Sequence, residues 1–449
     1  MNSIFTLRNL LMFFIPSIVG VGFFMLPISF NGEMSIPVAV IAKFFQQSLS
    51  SIILELVCVV IVISALLTIF FSTLQPKSVH VSSLLGSLFI VSPAWLVVRC
   101  LGAAFAVLVY FKQGSAMIWS ENTGGLLLHD LMPILFSVFI FAGLLLPLLL
   151  NFGLLELVGT LFSKVMRPLF KLPGRSAIDC TTSWLGDGTV GVLLTSKQYE
   201  QNIYTQREAA VVGTTFSAVS ITFSLIVIAE VGLIHMFVPF YFAVCLAGFV
   251  AALIVPRLPP LSFKKDLYID GTSPDPLAHA IPEHANIFSH AFKLAITRAA
   301  QVTSLKSVLQ QSFHNVCEMI LVVLPVVMGI GTLALMLAEF TPIFDYLGMP
   351  FVPYLELLQV PQAEVAAKSV VIGFADMFLP SILIAGVDNE MTRFIVAALS
   401  ITQLIYMSEV GAMLLGTKIP VNLLELFIIF ILRTIVTLPV IVLVAHLVF

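Results

Sequence analysis

Two aspartates interrupt otherwise apolar runs of the chain, and their surroundings point to ligand binding inside a membrane. Asp187 stands in Ser183-Trp184-Leu185-Gly186-Asp187-Gly188-Thr189, after Thr181 and Thr182. Gly186 and Gly188 let the backbone leave the helical region and present bare carbonyls and amides. Such carbonyls beside a carboxylate suit Na⁺, and free amides suit a polar substrate. Asp376 stands in Gly373-Phe374-Ala375-Asp376-Met377-Phe378-Leu379-Pro380-Ser381. A carboxylate among apolar neighbours is costly at membrane depth, so it faces a cavity or a partner. Lys368 and Arg393 are the cations at hand for a structural ion pair. Pro380, lacking an amide, is expected to free a carbonyl near Asp376.

A second set lies nearer the C-terminus. Thr402, Tyr406 and Glu409 fall at i, i+4 and i+7, which predicts one shared helix face with Gln403 at its border. Ser217, Ser220 and Ser224 form a hydroxyl stripe earlier in the chain. Glu230 and Glu409 close two similar apolar stretches and are candidate proton carriers wherever burial raises a carboxyl pKa. Other polar residues read as structural. Glu55 and Arg99 would pair with each other, Arg433 would snorkel or pair, and Asn315 with Glu318 would sit at a cavity mouth. His279, His284 and His290 lack metal-ligand spacing, and the five cysteines have no close pairs, so neither a metal site nor a disulfide framework is expected. No phosphate-binding loop, nucleophile elbow or zincin motif occurs, which argues against an enzyme.

The elements that must position these residues are set by composition. Of 449 residues 59% are hydrophobic and only 10% are charged, against about 25% charged in a typical soluble domain. That surface suits a bilayer, and the apolar runs are long enough for helices rather than the short alternating strands of a barrel. The net charge of −3 offers no basic field for nucleic acid. Spans are expected near 9–29, 51–73, 84–111, 131–151, 208–230, 235–256, 317–338, 392–415 and 421–448. Three apolar stretches, 34–46, 176–196 and 363–386, carry Gly, Pro or a carboxylate and read as broken or re-entrant. The richest basic loops, 164–175 and 257–306, are expected to be cytoplasmic, which places the N-terminus inside.

The two halves resemble each other. Ser220-Ile221-Thr222 with Glu230-Val231-Gly232 is echoed by Ser400-Ile401-Thr402 with Glu409-Val410-Gly411, and Gly186-Asp187 by Gly373 to Asp376. This predicts N-terminal scaffold helices over 1–130, a first repeat over 131–256, a cytoplasmic linker over 257–316 and a second, inverted repeat over 317–449. The expected fold is an all-α polytopic, inverted-repeat transporter-like helical bundle. Its site would lie at the repeat interface, formed by Gly186, Asp187, Gly188, Ser220, Asp376, Gln403, Tyr406 and Glu409.

The runs "LGDGTVGVLLTSKQYEQNIYTQREAAVVGTTFSAVSITFS" (185–224), "GFADMFLPS" (373–381) and "TQLIYMSEVGAML" (402–414) resemble the YjiH family of bacterial inner-membrane proteins, as does the opening "FFIPSIVGVGFFMLPISFNGEMSIPV" (13–38). That resemblance implies two nucleoside-recognition (Gate) units, near 131–256 and 317–449, in the bacterial inner membrane. The expectation is a secondary active transporter of a small polar solute (nucleoside-like, amino acid or dipeptide) coupled to Na⁺ or H⁺. Its partners would be the bilayer and that solute, with homo-oligomerisation left open, and no cofactor is expected beyond Na⁺ as a coupling ion. A passive channel or gate subunit, or a non-transporting membrane scaffold, is the alternative.

Overall fold

The computed structural model describes residues 4–26, 28–30, 33–74, 84–185, 188–216, 221–274, 286–302 and 304–449. The chain is an all-α polytopic membrane protein. Its one small sheet among the described residues is an antiparallel pair, β1 (Ile28–Phe30) and β2 (Glu33–Ser35). The N-terminal helices are α1 (Leu7–Met25), α2 (Pro37–Ser48), α3 (Ile53–Leu74), α4 (Leu84–Phe89), α5 (Pro93–Tyr110) and the short α6 (Ala116–Trp119). The expected span at 84–111 is thus a short helix, a bend and a spanning helix that starts at Pro93, a residue at home in a helix's first turn.

Two series of elements then follow in the same order. The first is a π-helical turn (Leu126–Leu131) running into α7 (Met132–Leu150), the amphipathic α8 (Leu154–Phe170), and α9 (Ser176–Leu185) with α10 (Gly188–Glu200). After these come α11 (Gln206–Val211) with a π-helical turn (Val212–Phe216), α12 (Ile221–Glu230) and α13 (Phe237–Ile254). Helix α14 (Ile287–Ala300) lies in the connection and packs on α8 and α1. The second series begins with α15 (Leu305–Glu318), a π-helical turn (Met319–Val323) and α16 (Leu324–Phe340). It continues with α17 (Ile343–Gly348), α18 (Val352–Leu357), α19 (Ala363–Ile372), α20 (Leu379–Ile384), α21 (Glu390–Gln403), α22 (Val410–Gly416) and α23 (Leu423–Val448).

In both series a π-helical turn precedes a proline at the helix start, Pro133 in α7 and Pro325 in α16. A proline donates no amide to the carbonyl four residues back, and widening the turn accommodates the ring. The carbonyl so released by Pro325 is that of Leu321, and Ser64 Oγ of α3 donates to it.

Seven helical stretches among the described residues are long and apolar enough to cross a bilayer. Of the nine expected spans, 208–230 is described only on either side of 217–220, and 392–415 is not a continuous helix. The first carries a π-helical turn after α11, and the second stops at Gln403 and restarts at Val410. The longest stretch, Leu305–Phe340, has 36 residues and is about 54 Å long, against about 30 Å of hydrocarbon. Its first turns therefore project beyond the membrane, and the second half begins inside the segment read as linker.

Helices pack closely where glycines allow it. A Cβ on Gly102 of α5 would lie 2.1 Å from the Pro325 carbonyl oxygen, and one on Gly329 of α16 would lie 2.7 Å from that of Val98. Small residues let backbones touch where lipid leaves little hydrophobic drive between helices. Outward faces stay apolar, as with Val238 and Phe242 on α13 and Leu443 and Leu447 on α23, which is the surface that lipid solvates.

Candidate functional site

The stretches read as broken, 176–196 and 363–386, are both helical hairpins. In the first, α9 and α10 pack side by side, and Asp179 in the first turn of α9 ties the base. Its carboxylate is buried and accepts from Gln198 Nε2 at 2.6 Å, Thr195 Oγ1 at 2.9 Å and the Tyr204 hydroxyl at 3.0 Å. These donors lie at the far end of α10 and just beyond it, so the chain leaves and returns at one end. In the second, α19 and α20 pack together, and Thr392 Oγ1 at the start of α21 donates to the Pro361 carbonyl at 2.7 Å. This hairpin also closes on itself.

The α11–α12 stretch runs antiparallel to the split helix α21–α22. Near one end Arg393 of α21 donates to the Val231 carbonyl just past α12, at 2.8 Å. Near the other, a Cβ on Gly213 would meet Leu414 of α22 and Ile419. Each hairpin reaches the corresponding stretch of the other half. Gly188, at the tip of the first, faces Val410 at the start of α22, and α10 packs on α22. Phe378, at the tip of the second, stacks edge-on with Phe223 of α12, ring centroids 6.0 Å apart, and α20 packs on α12. The tips therefore meet these stretches crosswise.

The interruption at 404–409 begins where Leu404 takes a left-handed φ of 61°, a conformation a branched side chain rarely adopts. The freed amides are satisfied by the second hairpin: Met407 N donates to the Phe374 carbonyl at 2.8 Å and Ser408 N to that of Ala375 at 2.9 Å. Ser408 Oγ donates to Asp376 Oδ2 at 2.6 Å, while Asp376 Oδ1 accepts the Phe378 and Leu379 amides at 2.8 and 3.3 Å. The carboxylate thus caps α20 and latches the hairpin to the break. Gln403 is buried; its Nε2 donates to the Val370 carbonyl and to Thr434 Oγ1, whereas Oε1 has no partner. That oxygen lies over Gly373, where a Cβ would come within 2.3 Å of it.

Arg433 of α23 joins the halves. Its guanidinium is fully buried and donates to the Thr402 carbonyl at 3.0 and 2.6 Å, at the C-terminal end of α21. It also donates to the Thr215 carbonyl at 3.0 Å and that of Thr214 at 3.4 Å, in the π-helical turn after α11. The C-terminus of α21 carries partial negative charge and orphan carbonyls, which the cation answers, and the π-helical turn offers it two more carbonyls.

Several expectations change in this light. Asp376 pairs with neither Lys368 nor Arg393. Pro380 sits at the second residue of α20, where no intrahelical amide is lost. Thr402, Tyr406 and Glu409 do not share a helix face, because the helix ends at Gln403; Tyr406 and Glu409 instead sit in the unwound stretch, hydroxyl to carboxylate 3.3 Å. Glu230 is exposed at the end of α12. Arg433 does not snorkel, and Arg99 binds Thr68 Oγ1 and the Leu88 carbonyl while Glu55 meets Tyr110. Gly186, Asp187, Ser217 and Ser220 lie outside the described residues.

Asp179, Ser408 and Arg433 are the contributors that sequence reasoning missed. Asp179 shared Asp187's signal, a carboxylate in an apolar stretch, with hydrogen-bonding side chains 16 and 19 residues on. Away from the breaks, buried Lys197 of α10 pairs with Glu318 of α15 and with Glu200 at 3.3 Å. Glu200 also meets Lys418 at 3.6 Å. Since 319–340 covers about 33 Å, Glu318 marks the edge of the hydrocarbon on the linker side. No group of three His, Cys, Asp or Glu side chains suited to a metal occurs among the described residues.

A split helix, α21–α22, running antiparallel to α11–α12 with a hairpin tip against each, in an apolar multi-pass bundle, defines a transporter-like membrane protein. A family model described as nucleoside recognition, Gate, matches residues 132–234, from the start of α7 to just past α12. Over 444 residues, 99% of this chain and 96% of the relative, the sequence is 49% identical to an uncharacterized protein of Alkalihalophilus pseudofirmus. The chain belongs to that protein's family. No solved structure matches.

Proposed function

We propose that the protein is a secondary active transporter of a small polar solute (nucleoside-like, amino acid or dipeptide) in the bacterial inner membrane, with a cytoplasmic N-terminus and Na⁺ or H⁺ as driving ion. The resemblance to the YjiH family supports the compartment, and the Gate match supports the solute class. One observation carries the reading: the second hairpin is latched over the break at 404–409 by the Asp376–Ser408 hydrogen bond and two amide–carbonyl bonds. A latch of three hydrogen bonds, each with a net worth of about 0.5–3 kcal/mol, can open on a transport timescale.

With the latch open, the Asp376 carboxylate, the Met407 and Ser408 amides and the unpartnered Gln403 Oε1 become donors and acceptors for a polar solute. Tyr406 and Glu409 flank them in the same unwound stretch. Gly186, Asp187, Gly188 and Ser220 would complete the site from the first hairpin and the α11–α12 stretch, and the antiparallel course of α11–α12 and α21–α22 would give the opposite opening from the other face. The test is a thermal-shift screen of purified protein against nucleosides, amino acids and dipeptides, with and without Na⁺. One class should raise the unfolding temperature, since a ligand at 100 times its Kd adds about 2.7 kcal/mol. Asp376→Ala, still monodisperse, should lose that shift. No response to any class, or a full response in Asp376→Ala, would contradict the reading. A non-saturating flux without ion dependence would favour a passive channel.

A further inference from the structure

A separate cleft of about 460 Å³ opens on the linker side, between α8, the turn at 171–175, the first turn of α11 and α14. Its size falls in the range of small-molecule sites, about 300–1,000 Å³. Three cations line it: Arg167, Lys171 and Arg175. The fold gathers them deliberately. Lys171 takes a left-handed φ of 56°, and the chain doubles back so closely that a Cβ on Gly174 would lie 2.0 Å from the Gly159 carbonyl oxygen. Gly159 in turn abuts Arg175, with its would-be Cβ 3.1 Å from the arginine Cβ. Arg175 is thereby laid alongside α8 at Gly159, and it lines the same cleft as Arg167.

The charges in the cleft do not cancel. Among the described residues none of these three cations forms an ion pair. Two carboxylates also line the cleft, against the three cations: Glu156 faces Arg298 at 3.9 Å, and Glu208, within electrostatic reach of Arg167, accepts the Thr205 amide at 2.9 Å in a capping box. Tyr268 also lines the cleft; burial pushes its phenol up, keeping an O–H donor there. Two guanidinium forks with an ammonium at the rim match the tetrahedral oxygens of a phosphate group better than a planar carboxylate or a halide.

We propose that this cleft binds a phosphate group, held by Arg167 and Arg175 with Lys171 at the rim. The group belongs either to a soluble phosphate compound or to an anionic lipid headgroup, since basic pockets beside interfacial helices take either. Arg175 directly precedes α9 and Arg167 lies in α8, so an occupant ties the base of the first hairpin to α8.

The test uses the full-length protein. In neutral detergent, inorganic phosphate and pyrophosphate are titrated against sodium chloride of matched ionic strength, reading the unfolding temperature. In a second arm, lipid retention is compared between vesicles containing phosphatidylglycerol and vesicles of phosphatidylcholine alone. Stabilisation by the soluble anions, or selective retention of phosphatidylglycerol, supports the site and names its source. Arg167→Gln with Arg175→Gln should weaken either effect about tenfold or more, a loss of about 1.4 kcal/mol. Lys171→Gln, at an exposed position, should fold normally and show a smaller loss. A response no larger than that to chloride together with no lipid preference, or an undiminished response in both variants, would overturn it.

Discussion

The break in α21 and the π-helical turn after α11 meet their exposed backbone groups in different ways. Where α21 breaks, the freed amides and the hydroxyl of Ser408 are met by the backbone and carboxylate of the second hairpin, a separable element. Where the first half widens into its π-helical turn after α11, the Thr214 and Thr215 carbonyls are met by Arg433, a side chain fixed in a long spanning helix. The α21 break carries a movable anion, and the fixed Arg433 cation spans from its Thr402 carbonyl to the π-helical turn of the first half. Two series with the same order of elements need not share the same chemistry, and the division suggests which half is built to move: the second hairpin is latched, whereas the first is tied at its base by buried Asp179.

Substitutions can break this contrast, beginning with the fixed side. Arg433→Leu leaves two or three buried carbonyls without a donor and should cost on the order of 3–6 kcal/mol. It should be seen as a large drop in unfolding temperature, with Arg433→Lys recovering part. Asp179→Ala strands the donors of Thr195, Gln198 and Tyr204 and should cost about 3 kcal/mol, again read by thermal unfolding. On the latched side, Gly373→Ala drives a methyl against Gln403 Oε1 and should cost about 1–3 kcal/mol while displacing the hairpin, so solute binding should fall more than stability does. Ser408→Ala removes one donor to Asp376 and should cost about 1 kcal/mol, with faster hydrogen exchange at the Met407 and Ser408 amides as its mark. If Ser408→Ala destabilised the fold as much as Arg433→Leu, the distinction between latch and fixture would be lost.

The sequence carried the class of fold in the length of its apolar runs, and Asp376 in its isolation among apolar neighbours. It hid the break at 404–409 and the π-helical turn after α11. Leu404, Ile405 and Met407 are as apolar as a spanning helix requires, and neither Gly nor Pro marks the left-handed Leu404. The helical spacing of Thr402, Tyr406 and Glu409 misled for the same reason, because periodicity means nothing across an unwound turn. Ser408 became legible as a partner only once the unwinding turned it toward Asp376. Arg433 reads in the sequence only as a snorkelling or paired charge, because its partners are backbone carbonyls, which every residue has and no side-chain pattern reveals.

The central claim is that the second hairpin must leave its seat for solute to bind. In a cysteine-free background, Phe223→Cys with Phe378→Cys can be bridged by a short reducible bifunctional reagent, since the two rings pack with centroids 6.0 Å apart. Uptake in reconstituted vesicles should be lost on bridging and restored on reduction, with each single variant unaffected. Equal uptake with the bridge intact and with it cut would contradict the account.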